Sequence, residues 1–400
     1  MKKKLKNSAF LPVACICMAS TMAHAQTELP QTRLPQSQNV ETGDALQFRV
    51  GAGLERDSNV LRAPTAESDT VGILSAGARF DKQYSLQRVV LDAELARYNY
   101  SDFSGLDYTT LNYEGAFHYA ITPRFRGVLR ATQRESRDID TATTGVTESF
   151  KRTERTQMVE GIYAPGGGLL GLAGLSHTSS ESDAVRSLES SPSITSLRLG
   201  VGYELRSGSQ VVLEYRRGDG KYDNINADFT EDEIAAVGRW EVTPKTTLTG
   251  RLGYLQRDHD SAASGLDFSG LVANLGVDWE VTGKTSVQAG FERDLGSYEF
   301  AGGGNVKALR TYIQPVWRAT AKTAVRLRYQ HEARDWQTVS AAAPDAGRED
   351  SLNAYGVYVD WEPRRNLFVT GSLRQERRDS NINAFDYRAN IVGVGARFVF

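Results

Sequence analysis

Cysteine is close to absent. The 400 residues hold two, Cys15 and Cys17, and both lie in the apolar part of an N-terminal targeting segment. That segment reads MKKKLKN, then SAFLPVACICMASTM, then AHA before Gln26. Lys2, Lys3, Lys4 and Lys6 give a positive start, residues 8–22 an apolar stretch, and Ala23 and Ala25 a small-x-small cleavage site. Residues 1–25 are expected to be removed as a signal peptide. The mature chain then has no disulfide and no thiolate metal site.

Histidine is nearly as scarce. His118, His177, His259 and His331 remain in the mature chain, scattered and without metal-ligand spacing. His177, beside the Ser-rich run 176–182, is the one place that invites a catalytic constellation. Catalysis needs a base in reach and a group that orients it, and no local residue supplies one. The expectation is a protein that is not an enzyme and takes no cofactor or metal. AGGGN at 301–305 and PGGG at 165–168 lack the Lys-Ser/Thr of a phosphate loop and read as turns.

Long hydrophobic runs are also missing. No mature stretch approaches the ~20 apolar residues a membrane helix needs. A basic surplus is missing too. Without the four leader lysines, 47 basic residues fall to 43 against 49 acidic ones, a net charge near −6. That balance excludes nucleic acid as a partner. Such polarity suits a soluble secreted protein, but it equally suits a transmembrane barrel, whose alternate residues face a wet lumen.

Periodicity separates the two. The final stretch, YRANIVGVGARFVF, puts Val392, Val394, Ala396, Phe398 and Phe400 on one face and Gly393, Gly395 and Arg397 on the other. A chain rarely ends on a strand this apolar unless that strand is held, and a barrel must hold it to close. The stretch resembles the C-terminal signal of bacterial outer-membrane barrels, which implies recognition by the barrel-insertion machinery.

The rest of the chain repeats the pattern. WEVTPKTTLTGRLGYLQRD, WEVTGKTSVQAGFERD, WRATAKTAVRLRYQHEARD and WEPRRNLFVTGSLRQERRD begin at Trp240, Trp279, Trp317 and Trp361. Weaker copies begin at Phe80, Tyr119, Tyr163 and Tyr203. With Phe400 these aromatics recur every 37–44 residues. Each unit holds two long strands, one tight turn and one longer polar connection, unlike the four short strands of a propeller blade. The longer connections fall at 137–149, 181–193, 219–228, 258–265, 296–305 and 338–350. Nine markers imply nine hairpins.

The predicted fold is therefore all-β. It is a transmembrane antiparallel up-and-down barrel of about 18 strands, with both termini in the periplasm and the markers forming an interfacial girdle. Residues 26–43 read as a disordered periplasmic leader and 44–400 as the barrel, in the bacterial outer membrane and in contact with its lipid. The first strand is placed at 45–56, another at 271–281 and an ascending strand at 124–134.

Alternation assigns side chains to the lumen. Arg49, Arg126, Arg130, Arg198, Glu214, Arg216, Arg239, Arg251, Asp278, Glu292, Arg326, Arg328, Arg374 and Arg397 are the candidates for solute contact, with Arg124 and Arg134 on the same face of their strand. The mature chain holds 36 Arg and seven Lys. Arginine's planar fork suits carboxylates and sugar hydroxyls, while the same charges could simply pair across strands and stiffen the wall. No connection exceeds about 14 residues, which favours a wider or differently plugged pore over one with a long loop folded into the lumen.

GAGLERDSNVLR at 51–62 resembles the first hairpin of a family of outer-membrane barrels that accompany exopolysaccharide biosynthesis and exosortase operons. Asp57 to Arg62 and the terminal aromatic strand carry the likeness. It implies a channel assisting exopolysaccharide export, with periplasmic export components as partners. The alternative is a general or solute-specific diffusion porin, which the same fold and charges would serve.

Overall fold

The computed structural model describes residues 45–138, 150–183, 190–205, 207–260, 265–297, 304–338 and 346–400. The expected signal peptide, the leader and most of the 137–149 connection lie outside these residues.

Eighteen antiparallel strands form one closed sheet. They are β1 (Leu46–Asp57), β2 (Asp69–Tyr84), β3 (Gln87–Tyr100), β4 (Tyr108–Thr122), β5 (Phe125–Asp138) and β6 (Phe150–Gly166). Then come β7 (Leu169–Ser182), β8 (Pro192–Glu204), β9 (Gln210–Tyr222), β10 (Phe229–Thr243), β11 (Thr246–His259) and β12 (Phe268–Trp279). Last are β13 (Thr285–Ser297), β14 (Gly304–Thr320), β15 (Thr323–Thr338), β16 (Glu349–Arg364), β17 (Leu367–Ser380) and β18 (Tyr387–Val399). Each strand pairs with its sequence neighbours, and β18 returns to β1. That seam runs from Arg49↔Val399 to Asp57↔Ile391. Phe48 and Phe400 finish it, each donating its N–H to the other's carbonyl at 2.7 and 2.9 Å.

The repeated turn has a local cause. In Thr-Pro-Arg, Thr-Pro-Lys, Thr-Gly-Lys and Thr-Ala-Lys, the threonine hydroxyl accepts the backbone N–H two residues on. Arg124, Lys245, Lys284 and Lys322 donate to Thr122, Thr243, Thr282 and Thr320 at 3.1–3.2 Å. This substitutes for a ladder bond and reverses the chain in few residues. It also moves two expected boundaries. Arg124 lies in a turn rather than on a lumen face, and β12 stops at Trp279, leaving Glu280 and Val281 to the Thr282 turn.

Outward faces are apolar. Leu54, Leu74, Leu95, Leu213, Leu252 and Leu373 are exposed at mid-height. The markers Tyr163, Tyr203, Trp240, Trp279, Trp317, Trp361 and Phe400 are exposed near the turns. Strands reach 17 residues in β6 and β14, more than the 9–11 that cross a bilayer. Much of what reads as polar connection is therefore strand that projects beyond the membrane. Among the described residues the buried apolar side chains form several small clusters and no single core; one, of Ile194, Tyr222, Ala227, Phe229 and Leu266, lies at the loop end.

Candidate functional site

Arginines and carboxylates line the lumen in rows. Arg49 on β1 reaches past β2 to Asp92 at 2.6 Å and Glu94 at 3.0 Å on β3. The residue between, in register with both Arg49 and Glu94, is Gly77. A side chain there would sit 2.7 Å from the Arg49 Nε. Arg198 on β8 reaches Glu160 on β6 in the same way, over Gly174. Arg374 on β17 reaches Glu55 on β1 at 2.9 Å beside Gly393. A lumen glycine thus lets one ion pair brace three strands.

Other pairs join adjacent strands. Arg216 binds Glu231 at 2.7 Å and Glu233 at 2.9 Å. Arg251 also binds Glu233, and Arg257 binds Glu231. Arg198, Glu214, Arg216, Glu233 and Arg251 enclose a cleft of about 30 Å³, room for a water. Arg310 binds Glu292 at 3.1 Å and Glu332 at 3.0 Å. Gln288 donates to Asp278 at 2.9 Å, and Arg328 to Gln330 at 3.0 Å. Arg397 is buried on the inner face of β18.

The remaining candidates are looser. Arg126 meets Glu204, Arg130 meets Glu114 and Arg239 meets Glu241 at 3.6 Å, and Arg326 meets Asp360 at 3.4 Å. These four guanidiniums are 29–32% exposed. At that separation and exposure they keep N–H groups for a solute. All fourteen candidates lie on the inner face, and most serve the wall.

Two features at the loop end were not expected. The β12–β13 ladder stops at Ala273↔Arg293, although β11–β12 continues to Arg257↔Phe268 and β13–β14 to Ser297↔Asn305. Above the stop, the β13–β14 hairpin leaves the wall and turns inward. Leu295, outward by alternation, instead packs on the lumen-facing Leu255 and Val272. Arg257 donates to Asn305 Oδ1 at 2.6 Å, Asn305 Nδ2 to the Leu266 carbonyl at 2.5 Å, and the Tyr222 hydroxyl to the Gly304 carbonyl at 2.6 Å. The shortness of the connections left room for a pore plugged in another way, and here the strands themselves bend inward. The one trace in the sequence is Leu295 followed by Gly296, where alternation breaks.

The second feature is the Asp57–Arg62 segment. Arg62 is buried and donates to Asp57 at 2.8 Å and to Glu376 at 3.1 Å on β17. Asn59 donates to the carbonyls of Ala63 and Arg388 at 2.7 and 3.2 Å. Arg137 on β5 donates to the Val60 carbonyl at 2.9 Å. Burial opposes the charge of Arg62, but the two carboxylates more than offset it and hold its pKa above the ordinary value. The motif is a knot over the β1–β18 seam at the loop end, a few strands round the wall from the inward hairpin.

His177 Nδ1 meets Thr195 Oγ1 at 2.9 Å on the exposed outer side. Among the described residues, no three His, Cys, Asp or Glu side chains are grouped to hold a metal.

A closed barrel with an aliphatic outer band, an aromatic girdle and a charged lumen is an outer-membrane β-barrel of porin type. The chain belongs to the family described as "Putative beta-barrel porin 2", whose profile matches residues 193–400, from β8 to β18. No curated protein sequence matches it. Among solved structures it is similar to the outer membrane protein OpdK of Pseudomonas aeruginosa, at 11% identity and TM-score 0.50, covering 90% of this chain and 99% of OpdK. The structure of OpdK with vanillate matches equally, at 11% identity and TM-score 0.50, covering 89% and 99%. At this identity the likeness shows the fold alone; the porin family and the closed barrel with its apolar outer face place the chain in the bacterial outer membrane.

Proposed function

We propose that the barrel is a diffusion channel for small polar solutes, favouring those that carry a carboxylate. The observation that supports this most is the set of partly exposed lumen arginines, Arg126, Arg130, Arg239 and Arg326, in a barrel whose loop end is narrowed by the inward β13–β14 hairpin. A narrowed mouth selects by size, and forked donors left partly free select by charge and shape. OpdK, of similar fold, was solved with vanillate, a carboxylate. In this reading the turns and both termini are periplasmic, as is usual for such barrels, and β18 is what the insertion machinery recognises. The test is solute flux into vesicles carrying the barrel. Small carboxylates are expected to enter faster than neutral sugars of equal size, and R126Q/R130Q/R239Q/R326Q to remove the difference. Equal rates for both solutes in the unmodified protein would refute it.

The second reading, assistance to exopolysaccharide export, rests on the likeness carried by Asp57 to Arg62. Those side chains are consumed in the seam knot, so none is left to grip a sugar chain. A deletion strain that releases normal exopolysaccharide would end this reading and leave the first untouched.

A further inference from the structure

One outward-facing patch is not explained by channel function. On β17 and β18 the outer side chains change in order from mid-height to the loop end. Leu373 and Val392 come first, then Gln375 and Asn390, then Arg377 and Arg388. Gln375 donates to Asn390 at 2.8 Å. On the adjoining strands Tyr329 donates to Asn353 at 3.2 Å, with His331 Nδ1 at 3.1 Å from the same oxygen. Arg377 and Arg388 are directly opposed across the ladder and both are exposed. Like charges in that position repel. Asp379 offsets Arg377 at 2.8 Å, but among the described residues no carboxylate pairs with Arg388. Arg56, on the neighbouring β1, also points outward and, among the described residues, is met by the Thr70 and Ser68 hydroxyls, at 3.1 and 2.6 Å, and by no carboxylate.

We infer that this face binds a phosphorylated glycolipid of the outer leaflet. Its acyl chains would lie on Leu373, Val392 and Val394, its sugar on the Gln375–Asn390 level, and a phosphate between Arg377 and Arg388. The apolar-to-amide-to-guanidinium order matches the depth profile of such a lipid, and the opposed arginines lack the counter-charge that a phosphate supplies. The inference requires only that the loop end faces outward. It does not depend on what passes through the lumen.

The experiment uses the full barrel in detergent and bis-phosphorylated lipid A as probe, with bound lipid counted by native mass spectrometry. R377Q/R388Q is expected to bind about tenfold more weakly, the scale of losing charge-assisted hydrogen bonds. R377K/R388K, which keeps the charge, is expected to lose less. Lipid A without phosphates should bind the unmodified barrel as weakly as the glutamine variant does, and inorganic phosphate should not displace the lipid. Both substitutions are on an exposed face, so the heat-dependent gel shift of the folded barrel should persist and solute flux should be unchanged. Equal binding by the unmodified protein and R377Q/R388Q overturns the inference. So does equal binding of phosphorylated and phosphate-free lipid, or cross-linking of two barrels through this face in place of lipid.

Discussion

Replacing Arg62 with alanine should be among the most damaging single changes in the chain. Arg62 is 8% exposed and binds Asp57 and Glu376, whose side chains are 11% and 3% exposed. Removing one partner of a buried pair leaves the other charge stranded, which costs about 3–5 kcal/mol. A second effect can be separated from this one. Arg62 has φ +53°, a left-handed conformation that costs an L-residue roughly 1–2 kcal/mol. Glycine at 62 avoids that cost, so R62G should be about 1 kcal/mol more stable than R62A while lacking the same ion pairs. Adding E376Q to R62A removes the stranded carboxylate, so the double variant should be less damaged than the sum of its parts by at least about 1 kcal/mol. The assay is urea unfolding of the barrel in lipid vesicles, followed by tryptophan fluorescence. An R62A variant within about 0.5 kcal/mol of the unmodified protein, the range of a neutral surface change, would refute the account of the knot. Strict additivity of R62A and E376Q would refute the pairing.

Other outcomes follow from the same geometry. R257A/N305A should free the inward hairpin and raise single-channel conductance; an unchanged conductance would mean the hairpin does not set the narrowest point. Lipids brominated near the headgroup should quench the exposed Trp240, Trp279, Trp317 and Trp361 strongly and the buried Trp336 weakly, read by comparing W336F with the unmodified protein. A methyl at Gly127 would overlap the Glu160 carbonyl and the Tyr119 ring that covers it, so G127A should cost about 1–3 kcal/mol in the same urea assay. Cysteine at Asn224 should react with an impermeant label on whole cells, and cysteine at Lys284 should not; the reverse pattern would invert the proposed orientation.

The sheet was legible because its signal is repeated. Period-two alternation recurs in nearly every strand, and the threonine turns and aromatic markers recur at fixed places. Inner and outer faces followed directly, which is why Arg49, Arg198 or Arg374 could be assigned to the lumen from parity alone. Partners were not legible. Nothing near Arg49 in sequence points to Asp92 or Glu94, because the reach depends on which strands close against each other and on Gly77 lying between. The inward hairpin was hidden for a related reason. Its strands keep their β character, and only the loss of the β12 ladder above Ala273 reveals the bend. DSNVLR carries a family likeness, yet its role depends on Glu376, which is over 300 residues away in the chain and next to it at the seam.

The arginine rows bear on why residues 26–400 hold 36 arginines and seven lysines. Adjacent strands lie about 4.8 Å apart, so a pair that skips a strand must span nearly 10 Å. A guanidinium can do this and still present a flat, two-pronged contact at the far end, as Arg49 does to Asp92 and Glu94 together. A lysine would bring a single point charge that prefers water. The intervening glycine is the other half of the device, since any side chain at Gly77 would strike the guanidinium. Arginine here is chosen first for bracing a wide, thin wall that has no packed core. Under the proposed function, solute selection falls to the four arginines that bracing leaves loose, and three of them lie near the turns: Arg126 at the start of β5, Arg239 near the end of β10 and Arg326 at the start of β15. A search for the selectivity of this channel should therefore begin at its turn end and not in the dense network of β8–β11, where charge is plentiful but already spoken for.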